Sequence, residues 1–153
     1  MKTIFVVAAH PDDEVLGCGG TLLKHVHDGD KVYILFISDG VSGRFKEKDS
    51  DKCLKEISNR EIMARKVSSL GKFKIVDFLN LKNLELSSYP HNYITNIIVK
   101  YFKKYKPDII YTHYEHDLNI DHYQTFFSTH VACRPNDDFQ IKKLLSFEIP
   151  SST

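Results

Sequence analysis

Two segments of the chain are rich in histidine and acidic residues, the side chains that bind divalent metals and transfer protons in enzymes. Residues 10–14 read HPDDE, and residues 113–122 read HYEHDLNIDH. Together the two segments hold four histidines and six acidic residues. Imidazole and carboxylate groups in one site suit Zn²⁺ or Fe²⁺, so the residue types point first to metal-assisted chemistry.

Three of these residues form a predicted metal site. His10 and Asp13 are three positions apart, and a helix that begins at Pro11 would bring both side chains to one side of its first turn. His122, from the second segment, is the predicted third ligand. Three protein ligands leave one position for water, as catalytic zinc sites require. A bound metal lowers the pKa of that water to about 7.

The neighbouring polar residues have predicted supporting roles. Asp12 is expected to point away from the ligand Asp13, where its carboxylate can take a proton from water and donate it to a leaving amine. Asp121 and Glu14 are predicted to orient the ligand imidazoles from the second layer. A simpler interpretation is that the acidic residues offset a helix dipole, and that Asn119 or Asp121 caps a helix.

The elements that must position these residues follow from apolar patterning. Apolar runs of strand length alternate with segments in which apolar residues recur at helical spacing. The predicted strands cover residues 4–9, 32–37, 75–79, 108–112 and 144–149. This alternation predicts an α/β fold with a doubly wound, mostly parallel sheet flanked by helices.

Ligands of such sheets bind beyond the carboxyl ends of the strands. Residues 10–14 follow the first predicted strand and residues 113–122 follow the fourth, so both segments are expected at that edge. Arg44 comes shortly after the second strand. It is predicted to bind a substrate hydroxyl or anion, with a solvated loop arginine as the alternative.

Length and composition narrow the class of protein. A chain of 153 residues suits one domain. Its formal net charge of +1 gives no electrostatic reason to expect nucleic acid or an anionic membrane as partner. No apolar run approaches the roughly 20 residues that a membrane span needs. Three widely spaced cysteines without a CxxC pair favour a reducing compartment, and we predict a cytoplasmic protein.

The two segments resemble the motifs of a known family. Residues 9–14, AHPDDE, followed by Gly17, Gly19 and Gly20, resemble the opening motif of the PIG-L/LmbE-like deacetylases. Residues 111–122 and the following ACRP resemble the second motif of that family. The resemblance runs from about residue 3 to the end of the chain. It implies a single domain over residues 1–153 with a Rossmann-like fold.

The resemblance also implies a function. It implies divalent-metal-dependent removal of the acetyl group from an N-acetylglucosamine-type sugar or sugar conjugate. His10, Asp13 and His122 are implied to bind Zn²⁺, and Asp12 is implied to be the general base. Fe²⁺ or another divalent metal fits the same ligands.

Three departures from the family pattern affect these expectations. Many members have a histidine where this chain has Asn119, whose amide can also donate a hydrogen bond to an oxyanion. An acidic substrate-binding residue often follows the third strand, and nothing in residues 81–85 matches it. Relatives continue beyond residue 153, so the domain is expected to lack the C-terminal portion of the family. A sheet edge exposed in this way can pair with other chains, which predicts self-association.

Two other functions stay open at this point. Two histidines and one carboxylate also form the metal site of non-haem iron oxygenases. The α/β pattern and the spare carboxylate of Asp12 favour hydrolysis over oxygenation. A non-catalytic module that binds a sugar or a partner is an alternative of another class, and a metal-bound protein that binds sugar without amidase activity would indicate it.

Overall fold

The computed structural model describes residues 1–152, with the backbone alone for His91. Thr153, the last residue of the predicted domain, lies outside the described residues. Five strands form one sheet: β1 Thr3–Ala8, β2 Lys31–Ser38, β3 Lys74–Leu81, β4 Ile109–His113 and β5 Lys143–Phe147. Their order is β3-β2-β1-β4-β5, and every neighbouring pair is parallel. The chain therefore winds outward from β1 in both directions, which confirms the predicted doubly wound sheet.

Four α-helices cover the two faces of the sheet. They are α1 Asp13–His27, α2 Asp51–Gly71, α3 His91–Tyr105 and α4 Ile120–Ala132, and short 3₁₀ turns lie at Ser42–Arg44 and Leu86–Ser88. The predicted strands all occur, with ends that differ from the predicted ones by no more than two residues. None of the helices in residues 1–152 combines the length and the apolar character that a membrane crossing requires.

The core lies on both faces of β1, because successive strand residues point in opposite directions. Ile4 faces a cluster that includes Leu22 of α1 and Ala64 of α2. Phe5 faces the other cluster, where its ring meets the ring of Phe102 in α3 edge-on at 5.5 Å between centroids. Helices on both faces bury β1 completely, which explains why its sequence is a continuous apolar run rather than an alternating one.

Parallel pairing gives the sheet one functional edge. Since all five strands run in the same direction, the loops after their carboxyl ends meet along that edge. The loops that follow β1, β2, β3 and β4 contain the histidine- and acid-rich segments and Arg44. The fold therefore brings together parts of the chain that are more than 100 residues apart in sequence.

Candidate metal centre and active site

The turn after β1 differs from the predicted one. The sequence allows a helix that begins at Pro11, but α1 begins at Asp13 and Asp12 occupies its N-cap position. The backbone N–H groups of Asp12 and Asp13 both donate to the carbonyl of His10, at 3.0 and 3.2 Å. Asp12 has a φ of +153°, which residues other than glycine seldom adopt. His10 thus precedes the helix, and a tight turn rather than a helical turn brings it beside Asp13.

The three predicted ligands converge on one point. Nδ1 of His10 lies 3.3 Å from Oδ2 of Asp13 and 3.2 Å from Nε2 of His122. Nε2 of His122 lies 3.4 Å from the same Asp13 oxygen. Ligand atoms on a tetrahedral ion with bonds of 2.0–2.1 Å are separated by about 3.3–3.4 Å. The three buried side chains therefore form one triangular face with the dimensions of a tetrahedral metal site.

The far nitrogens of both imidazoles are held by carboxylates. Nε2 of His10 lies 3.1 Å from Oδ2 of Asp121, and Nδ1 of His122 lies 2.8 Å from Oδ2 of Asp117. A proton on each far nitrogen satisfies these hydrogen bonds and leaves the near nitrogens with free lone pairs. Such carboxylate–histidine pairs orient metal-ligating imidazoles and raise their basicity.

Asp121 also joins two loops of the site. Its side chain is fully buried, and its carboxylate accepts hydrogen bonds from the backbone N–H groups of Leu84, at 2.7 Å, and Leu86, at 3.2 Å. These contacts attach the segment after β3 to the first turn of α4. Asp121 thus lies behind His10, and three donors surround its carboxylate.

Glu14 occupies a different place from the predicted one. Its buried carboxylate accepts the backbone N–H of Asp12 at 3.1 Å and so lies behind the turn rather than behind an imidazole. Burial raises the pKa of Glu14 to about 7. The physical reason for its placement is local, since the second residue of α1 points back toward its own N-terminus.

The charge around the triangle favours a cation. Burial lowers the pKa of His10, but hydrogen bonds to Asp121 and Asp13 outweigh burial and raise that pKa to about 9. Burial also opposes ionisation of Asp13, but the hydrogen bond from His10 and the neighbouring imidazole of His113 hold the pKa of that carboxyl far below its usual range. A metal ion competes with protons for these groups, and its positive charge would balance the carboxylates that surround the triangle.

Asp12 lies next to the triangle without belonging to it. Its side chain is 45% exposed, and its Oδ2 forms an ion pair with Nη2 of Arg60 at 3.0 Å. Desolvation raises the pKa of Asp12 above its ordinary value, although Arg60 acts in the opposite direction. The carboxylate lines a cavity of about 300 Å³ together with all three predicted ligands. It is therefore within the site and free of the ligand positions.

Asn119 and Arg44 line the same cavity. Asn119 is the N-cap of α4, and its Oδ1 accepts the backbone N–H of Asp121 at 2.9 Å. Its Nδ2 amide has no hydrogen-bond acceptor within residues 1–152. Capping and a role toward a ligand are thus compatible, because the two ends of one amide can serve them separately. Arg44 ends the 3₁₀ turn after β2 and is exposed to solvent.

Three residues of the site had no predicted role. His113 is fully buried, its Nε2 accepts the N–H of Ala9 at 2.8 Å, and its ring stacks on His122 at 4.1 Å. Burial lowers the pKa of His113, so this imidazole is a neutral support beneath the ligands. Asp117 and His113 both lie in the second segment, where their residue types were the available signal. Arg60 lies in the middle of α2, and nothing in its sequence context signals its contact with the turn after β1.

Fold and geometry together define an α/β protein with a buried cluster of two histidines and one aspartate at the carboxyl edge of a parallel sheet. Residues 5–133 match a family model described as PIG-L, GlcNAc-PI de-N-acetylase. The chain therefore belongs to the PIG-L family, which confirms the resemblance carried by the two motifs. Among curated proteins, none matches the chain at a significant level.

Solved structures of similar fold include proteins of different activity. A conserved protein from Thermus thermophilus has a TM-score of 0.72 and 22% identity, over 97% of this chain and 67% of that one. A 4-carboxy-2-hydroxymuconate hydratase from Pseudomonas putida has a TM-score of 0.73 and 20% identity, over 86% of this chain and 55% of that one. An N,N'-diacetylchitobiose deacetylase from Pyrococcus horikoshii, complexed with an inhibitor, has a TM-score of 0.71 and 27% identity, over 88% of this chain and 52% of that one.

The similarity covers only part of each solved structure. The chain spans between about half and two thirds of the length of the three structures. A hydratase and a deacetylase share the fold, so the fold alone does not select the reaction. The reaction must therefore be argued from the family match together with the side chains of the site.

Proposed function

We propose that the protein is a metal-dependent hydrolase that removes the N-acetyl group from an N-acetylglucosamine-type sugar or sugar conjugate. The observation that carries the proposal is the triangle of His10, Asp13 and His122, with Asp12 beside it in one cavity. Two imidazoles and one carboxylate suit Zn²⁺ first and Fe²⁺ second. A divalent ion at these ligands would supply a Lewis acid for the amide carbonyl and a water of lowered pKa.

Asp12 is the proposed general base and acid. Its carboxylate accepts a proton from the water that adds to the acetyl carbon, and returns a proton to the amide nitrogen as the carbon–nitrogen bond breaks. The products are acetate and the free amino sugar. A carboxylate of raised pKa suits this double role, because it must be protonated and deprotonated within each turnover.

Asn119 and Arg44 are proposed to act on the substrate. The Nδ2 amide of Asn119 can donate a hydrogen bond to the oxygen that gains negative charge when water adds. The Oδ1 atom of the same side chain is held by the N–H of Asp121, so the amide is fixed in orientation. Arg44 is exposed at the mouth of the cavity, where its guanidinium can bind sugar hydroxyl groups.

Acetate release tests the proposal directly. The purified chain, loaded with Zn²⁺, would be incubated with N-acetylglucosamine, N,N'-diacetylchitobiose and simple N-acetylglucosaminides. We expect acetate release that a chelator abolishes and that added Zn²⁺ restores. Metal binding without acetate release from any of these sugars would refute the proposal.

The same preparation distinguishes the two other functions. Oxygen consumption by the Fe²⁺-loaded chain in the presence of substrate would indicate an oxygenase. Sugar binding without acetate release would indicate a binding module. The position of Asp12 supports hydrolysis over both, since neither function needs a carboxylate beside the metal ligands.

A further inference from the structure

A second and larger cavity opens beside the metal site. Its volume is about 660 Å³, and it lies between the first turns of α1 and the length of α2. It shares Asp12, Leu16, Arg44 and Arg60 with the cavity of the metal site. The two cavities are therefore direct neighbours, and their volumes fall within the range of about 300–1,000 Å³ that small-molecule sites occupy. We call the larger cavity the α1–α2 cleft.

Apolar side chains dominate the α1–α2 cleft. One stripe of α2 faces it, with lining residues that recur every three or four positions from Lys52 to Val67. Leu16 of α1 and Met63 of α2 line it although they are 61% and 59% exposed. Large apolar side chains that face one cavity and remain open to water form a surface suited to an apolar ligand. The flexible side chain of Met63 can adjust to the shape of a ligand, because methionine fills irregular spaces.

The charged residues of the cleft do not favour an anion. Three basic and three acidic side chains line it: Arg44, Lys52 and Arg60, and Asp12, Glu14 and Glu56. The guanidinium of Arg60 is already engaged by Asp12 and by the carbonyl of Gly40. A phosphate-binding site would instead concentrate positive charge and backbone N–H groups. Because the charges balance, the apolar side chains are the part of the cleft that most favours binding of a ligand.

The residues shared by the two cavities show which part of a substrate enters the cleft. In the proposed function Asp12 acts on both sides of the amide bond, on the attacking water and on the leaving nitrogen, whereas Arg44 binds the sugar. The cleft begins at these two residues, so the role of Arg44 places it on the sugar side of the amide rather than on the acetyl side.

We propose that the α1–α2 cleft binds an apolar aglycone carried by the N-acetylated sugar. This inference rests on the proposed function for the placement of the sugar, while the apolar character of the cleft stands on the structure. Each methylene group that moves from water into an apolar site improves affinity by about fourfold when it is fully buried. Ordering of the chain offsets part of this gain.

The test compares three ligands in the Zn²⁺-loaded protein. They are methyl N-acetyl-β-glucosaminide, hexyl N-acetyl-β-glucosaminide and methyl N-hexanoyl-β-glucosaminide. Dissociation constants are measured by calorimetry. Formation of the free amino sugar, called amine release below, is measured separately. We expect the hexyl glycoside to bind about tenfold or more tightly than the methyl glycoside, and the N-hexanoyl compound to show no such gain.

Two variants locate the effect. Met63→Asp places a charge in the cleft, whereas Ile62→Asp places one on the preceding residue of α2, which is 49% exposed and does not line the cleft. We expect the ratio of hexyl to methyl affinity to fall toward one in Met63→Asp and to persist in Ile62→Asp. Melting temperatures of both variants check that the fold is intact.

The outcomes separate the two proposals. Equal affinity for the hexyl and methyl glycosides, or a preference that survives Met63→Asp, would overturn the cleft assignment. An equal gain from the N-hexanoyl chain would overturn the aglycone assignment. Tight binding of the hexyl glycoside without amine release would refute the proposed deacetylation and leave the apolar site standing.

Discussion

Nη2 of Arg60 lies 3.0 Å from Oδ2 of Asp12, and Nη1 of the same guanidinium donates to the carbonyl of Gly40 at 3.0 Å. One side chain from α2 therefore connects the turn after β1 with the turn after β2. The planar guanidinium fixes the direction of both contacts. It holds the Asp12 carboxylate in one orientation at the side of the metal-site triangle.

Substitution of Arg60 should slow turnover without removing the metal. Arg60→Leu frees the Asp12 carboxylate, and a misplacement of about 1 Å can lower the rate about 10²-fold. Arg60→Lys keeps the charge but not the fork geometry, so we expect a smaller loss. The measurements are kcat and metal content. Arg65→Leu, on the exposed side of the same helix, is the control, and an equal kcat in both leucine variants would contradict the assignment.

Loss of a ligand imidazole should remove the metal. We expect about one divalent ion per wild-type chain at the triangle of His10, Asp13 and His122. His10→Ala and His122→Ala each leave two ligands and should fall well below that stoichiometry. His27→Ala, at the exposed far end of α1, should bind like the wild type. Elemental analysis after dialysis measures the metal content. Full metal occupancy in both His10→Ala and His122→Ala would refute the metal-site assignment.

Asp12→Asn tests the general base. The amide keeps the size of the side chain but cannot accept a proton, so turnover should fall by about 10²–10⁴-fold while the metal stays bound. If Asp12 only offsets the dipole of α1, the change should lower stability by about 0.3–1 kcal/mol and leave turnover intact. Turnover, metal content and melting temperature measured on this variant distinguish the two roles. The metal-bound variant with near-normal turnover would exclude the base.

Two substitutions of Asn119 separate its two contacts. Asn119→Asp keeps an oxygen for the N-cap but removes the amide donor, so stability should hold while kcat falls by about 10²–10³-fold. Asn119→Ala removes both contacts and should also lower stability by about 1 kcal/mol. Thermal unfolding and steady-state kinetics give the two readouts. Wild-type kcat in the aspartate variant would show that Asn119 serves as a helix cap alone.

The ligand triangle could be predicted from sequence because its parts follow strands. His10 comes directly after an apolar run, and His122 lies nine residues after the last residue of β4. In a parallel sheet this is sufficient to place both at one edge, whatever the course of the chain between them. The residue types then select the chemistry, since imidazole and carboxylate groups rarely meet there without a function.

Other parts of the site depend on tertiary contacts that carry no local signal. Arg60 lies on a helix whose pattern shows only that one side faces the sheet. The N–H groups of Leu84 and Leu86 reach Asp121 from the backbone, and any residue except proline offers that group. The start of α1 was misplaced for a related reason. Pro11 is compatible with a first helical turn and with the tight turn that forms, and the hydrogen bonds to the His10 carbonyl select the latter.

The central position of β1 has a consequence for how the protein opens. Residues 4–9 have no exposed surface, and the strand is paired on both sides. Amide protons in such a strand exchange with solvent only through the largest opening events of a protein, close to global unfolding. His10 follows this strand directly, so the first predicted ligand is anchored to the part of the chain whose amides should exchange most slowly. Fraying at the periphery of the sheet therefore leaves His10 in place, and its release requires the centre of the molecule to open.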